Sequence, residues 1–75
     1  MPRIGTAFGI AFYVYKGDHN PPHVHAICGE HEAALVIATG DVLIGSLPPA
    51  TLRQAKRWLA DNRALVAAAW ERLQS

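Results

Sequence analysis

The chain has 75 residues, 51% apolar and 17% charged, with a formal net charge of +1. That composition excludes a disordered or fibrous chain, and so even a charge gives no general attraction to nucleic acid or membrane. One cysteine, Cys28, excludes an intrachain disulfide framework and a multi-cysteine zinc site.

A domain this small buries only ~60% of its unfolded surface, so its core is marginal and a second chain would reinforce it. A lone cysteine fits a reducing compartment. The opening MPRIGTAFGI lacks the long apolar stretch and cleavage site of a signal peptide. No apolar run reaches the ~20 residues of a membrane helix. The expectation is one cytoplasmic domain over residues 1–75 with no membrane partner.

In chain order, residues 10–15 are rich in β-branched and aromatic types and predict a first strand. Residues 16–22 form a loop. Residues 23–28, 32–38 and 42–45 predict three more strands, with turns at Gly29-Glu30 and Thr39-Gly40. After Leu47 the period changes, and Pro48-Pro49 suits a helix start because proline there forfeits no needed hydrogen bond. Leu52, Ala55 and Leu59 mark one helical stripe, and Leu65, Val66, Ala69, Trp70 and Leu73 another. Asp61-Asn62 ends the first helix and caps the second. The predicted fold is α+β: a four-stranded antiparallel meander followed by two helices packed on one face.

Two-residue turns pair Cys28 with His31, Ala26 with Ala33 and Val24 with Leu35, then Ile37 with Val42 and Leu35 with Ile44. Alternation puts Val24, Ala26, Cys28, Leu35, Ile37, Val42 and Ile44 on one core face, joined by Phe12 and Val14. His31 falls on that face near a turn. The opposite face carries Tyr13, Tyr15, His23, His25, Ile27, Glu32, Val36 and Leu43, and its aliphatic part, Ile27, Val36 and Leu43, is expected to be covered by a homodimer or partner contact.

Three of the four histidines lie in the run Asp18-His19-Asn20-Pro21-Pro22-His23-Val24-His25. His23 and His25 point the same way, about 7 Å apart at the backbone from a rise of ~3.4 Å per residue. Two such imidazoles can share one ion, with Asp18, His19 or Glu32 as third ligand. An extended Pro-Pro step holds His19 roughly 12 Å from His23, too far for a shared ion unless Pro22 is cis. The cofactor is therefore either none or one divalent transition metal, zinc first.

The same histidines suit acid–base cleavage of RNA, with Lys16 stabilising the developing phosphorane charge and Tyr13 and Tyr15 stacking bases. A third reading makes them scaffold, with Asp18 and Asn20 as turn formers. Arg53, Lys56 and Arg57 form one basic helical stripe, a solvated face or a contact for an acidic partner. Trp58 and Trp70 read as packing residues, and Cys28 as an inert buried thiol.

Phe8-Gly9-Ile10 before a strand, DHNPPHVH, Thr39-Gly40, Gly45-Ser46-Leu47-Pro48 and LRQAKRWLADNRALVAAAW together resemble the bacterial "domain of unknown function 4160" family. The resemblance covers nearly the whole chain, and its block corresponds to Asp18, His19, Pro21, Pro22, His23 and His25. It implies a gene neighbour from domain of unknown function family 2442, a pairing proposed to form toxin–antitoxin modules. Members often carry an aromatic residue at the place of Val24 and a histidine at that of Asn62, so a helix histidine takes no part here.

Two functional expectations follow. One is a toxin-like protein acting on RNA, with His23 and His25 as acid–base pair, Asp18 or Glu32 orienting an imidazole, Lys16 near phosphate, and a small cognate protein encoded nearby. The other is a non-catalytic module in which the block, His19 included, binds a metal or docks a partner chain.

Overall fold

A computed structural model describes residues 3–74. Five strands precede two helices: β1 (Arg3–Ala7), β2 (Ile10–Tyr13), β3 (His23–Cys28), β4 (His31–Val36), β5 (Val42–Ser46), α1 (Pro49–Asp61) and α2 (Arg63–Gln74). The strands form one antiparallel sheet in sequence order. The α+β class, the meander and the helix pair agree with expectation, but the sheet has five strands rather than four. Among the described residues, no helix is long and apolar enough to cross a membrane.

The additional strand is β1, which pairs with β2 through Ala7↔Ile10 and Thr6↔Ala11. Phe8 and Gly9 turn between them with φ of 55° and 73°, the doubly positive backbone of a tight hairpin. A phenylalanine in that conformation is an uncommon turn former, which hides the turn from composition. Gly5 further weakens the strand signal, yet packing requires it: a Cβ there would collide with the Trp58 indole.

Ile10, Phe12, Val14, Val24, Ala26, Leu35 and Ile37 are buried against Ala55 and Leu59 of α1 and Val66, Ala69 and Trp70 of α2. Complete burial of Phe12, Leu35 or Leu59 contributes roughly 1.5–3 kcal/mol each. Pro48 caps α1 and Pro49 opens it, as the sequence suggests. Asn62 closes α1 by donating its side-chain amide to the Trp58 carbonyl at 2.9 Å. Its own carbonyl accepts from the Val66 N–H at 3.0 Å to begin α2. Leu65, expected on the α2 stripe, is instead exposed.

The β3–β4 pairing matches expectation, including Val24↔Leu35 and Cys28↔His31. His31 is exposed rather than in the core, and Cys28 is half-buried rather than inert in the interior. The β4–β5 pairing differs. Leu35 faces Val42 and Ala34 faces Ile44, with a register irregularity between Ala34 and Leu35.

The cause lies at the end of β4. The Val36 N–H donates to the Asp41 carbonyl at 2.8 Å and closes a longer turn, while the Ile37 N–H continues the β3–β4 ladder by donating to the Pro22 carbonyl at 3.0 Å. A one-residue slip exchanges the faces of a strand. Ile44, expected in the core, now lies opposite Ala34 and is 62% exposed, while Val42, also expected there, lies opposite Leu35 and is 40% exposed on the edge strand.

Candidate metal centre

Strand alternation sends Val24 into the core and His23 and His25 to the other side. The loop between β2 and β3 returns over them and sets Asp18 beside both rings. His23 was expected on an open face but is 3% exposed. Its ring lies 5.3 Å from the Trp70 ring of α2 and 5.0 Å from that of His25.

One carboxylate oxygen serves both histidines. Asp18 Oδ2 is 3.2 Å from His23 Nε2 and 3.0 Å from His25 Nε2. His23 Nδ1 lies 2.7 Å from the Pro21 carbonyl, which can only accept, so Nδ1 carries the hydrogen and donates it. In the neutral ring, Nε2 then turns a lone pair toward a carboxylate. A cation at that point, a proton or a metal ion, relieves the opposition. His25 is flanked in the same way, with Glu32 Oε2 3.4 Å from its Nδ1.

Asp18, His23 and His25 each offer one ligand atom, and these atoms lie within 4.8 Å of one another. Four-coordinate zinc with bonds near 2.0–2.1 Å spaces its ligand atoms about 3.3 Å apart. Both Asp18–histidine distances match that edge. Around an ion held there, the Pro21 carbonyl and the Glu32 carboxylate would take the outer positions that fix the ring orientation of ligating histidines.

The remaining expected site residues divide. Glu32 belongs to the outer layer just described. Tyr15 places its ring 4.5 Å from that of His25, and Tyr13 stacks 6.0 Å further on. Burial lifts the Tyr15 phenol above its usual 10.0, helped by the charges of Glu32, Tyr13 and Asp18.

His19 is exposed, its ring 6.1 Å from that of His23, and lies outside the ligand group. The cis bond of this loop is Asn20–Pro21 rather than the bond preceding Pro22. Lys16 is exposed on the loop, and Arg53, Lys56 and Arg57 are exposed on α1. Sequence reasoning took Trp70 only as packing and passed over Gln74. The Gln74 side-chain amide accepts from the Gly17 N–H at 3.1 Å and donates to the Tyr15 carbonyl at 2.8 Å. Those partners lie 57 and 59 residues away, so no local pattern announces them.

Fold and site together define a small α+β domain with two histidines and one carboxylate gathered where β3 begins. Residues 8–71 match the family described as "Domain of unknown function (DUF4160)", and the chain belongs to that family. No curated protein and no solved structure matches it. The matched span contains Asp18, His23, His25 and Glu32, while Gln74 falls beyond it.

Proposed function

We propose that this protein is a small metal-binding module holding one divalent transition ion, zinc first, on Asp18, His23 and His25. The observation that carries this reading is the convergence of two Nε2 atoms on Asp18 Oδ2, at 3.2 and 3.0 Å. Support comes also from His23 Nδ1, which is committed to the Pro21 carbonyl and leaves Nε2 as the ligating nitrogen. Three protein ligands leave a further coordination position for water or an exogenous ligand.

The test is metal analysis of protein purified without an affinity tag, beside a His23→Ala/His25→Ala double variant. Stoichiometric zinc in the parent and none in the double variant is the expected result. A parent that takes up no ion from added zinc overturns the reading.

A second reading is the toxin-like protein acting on RNA beside a small cognate partner. What favours it is the aromatic ladder Tyr13–Tyr15–His25, with rings 6.0 and 4.5 Å apart, a surface on which bases stack. Against it stands the burial of His23, since a general base must come within hydrogen-bond reach of its substrate. Expression of the parent and of His23→Ala decides. Growth arrest that disappears in a folded variant supports the RNA reading.

A further inference from the structure

We propose that Gln74 is a positioning residue for the metal centre: by clamping the backbone at Tyr15 and Gly17, its amide presents Asp18 to the two histidines. The inference rests on the metal reading above and extends it to a residue at the far end of the chain.

Asp18 sits on a segment with little anchorage of its own. Among the described residues, no turn or loop backbone–backbone hydrogen bond involves residues 15–20. Gly17 takes φ of +80°, the left-handed backbone that lets the chain reverse just before Asp18. The Gln74 amide supplies what the backbone lacks. It accepts from Gly17 N–H at 3.1 Å and donates to Tyr15 C=O at 2.8 Å, as a neighbouring peptide group would. The carboxylate ligand is thus one residue from a fixed point.

The same helix holds the other side of the centre. Trp70 lies one turn before Gln74, so the two occupy one face of α2. The Trp70 ring packs 5.3 Å from the His23 ring. One face of α2 therefore braces an imidazole through Trp70 and the carboxylate through Gln74. Preorganised ligands bind more tightly because ordering them costs nothing at the moment of binding.

The test is a cobalt(II) titration followed through its visible absorption, on the full chain and on Gln74→Ala and Gln74→Asn. The asparagine is amide-bearing but one methylene too short to span both backbone groups. Melting of the metal-free proteins is measured alongside. Outer-layer partners of metal ligands are worth roughly 10–100-fold in affinity. Both variants are expected to fold as the parent does, to bind cobalt at least about tenfold more weakly, and to show an altered absorption band as Asp18 leaves the ion.

A residue that only pins the helix end would lower the melting temperature and leave affinity and spectrum unchanged. That result, with cobalt bound as in the parent, overturns the role of Gln74 alone. A parent that binds no cobalt overturns the metal reading and this inference with it.

Discussion

The indole of Trp58 lies flat on the ring of Phe12, with centroids 3.9 Å apart and 9° between planes. Gly5 makes room for it, since a side chain there would enter the indole. Gly5→Ala is expected to destabilise the fold by about 1–3 kcal/mol, the usual cost of overpacking. Urea denaturation measures it. A midpoint equal to the parent's would show that Trp58 does not depend on the gap.

At Gly45 the backbone has φ of +81°, and a Cβ would strike the Glu32 carbonyl across the hairpin. Left-handed backbone at a residue other than glycine costs about 1–3 kcal/mol. Gly45→Ala therefore lowers stability by at least that much, read from thermal melting. Because Glu32 is adjacent, the variant is also expected to weaken metal uptake.

The slipped register of β5 makes a contrast between two isoleucines. Ile44 is 62% exposed and Ile37 4% exposed. Ile44→Thr is expected to stay within about 0.5 kcal/mol of the parent, as surface changes do. Ile37→Ala should lose about 2–5 kcal/mol through the cavity it leaves. Denaturation curves of the pair give the answer, and equal losses would place Ile44 back in the core.

Glu32 lies 3.4 Å from His25 Nδ1 and is half exposed. Glu32→Gln is expected to weaken zinc binding about tenfold without abolishing it, as removal of an outer-layer carboxylate does. Asp18→Asn, which exchanges the proposed charged ligand for a neutral amide, should weaken it further. Competition with a chromophoric chelator ranks the three proteins. The reverse order would make Glu32, not Asp18, the carboxylate ligand.

Much of this architecture is legible in the residues because two periods write it. Alternation through Val24, Ala26 and Leu35 and helical spacing through Ala55 and Leu59 determine the core face. Pro48 and Pro49 mark where one period gives way to the other. The failures have local causes. Phe8 adopts a glycine-like φ, so the β1–β2 hairpin has no compositional mark. The β4–β5 hairpin closes between Val36 and Asp41 instead of at a two-residue Thr39-Gly40 turn, which shifts the register of β5.

In the site, the His-x-His spacing places His23 and His25 together, and the nearness of Asp18 in sequence makes it a natural third member. The burial of His23 is less legible, because Trp70 that packs on it comes from α2. Gln74 is illegible for the same reason, its partners being brought to it only by the folded helix.

The proposed metal site holds one ion on Asp18 Oδ2, His23 Nε2 and His25 Nε2. A crystal structure of the zinc-loaded protein, with an anomalous difference map at the zinc edge, tests it most directly. A single peak bonded to those three atoms is expected, with His23 Nδ1 still donating to the Pro21 carbonyl. A peak elsewhere, or Asp18 still bridging two metal-free imidazoles in zinc-saturated crystals, would contradict it.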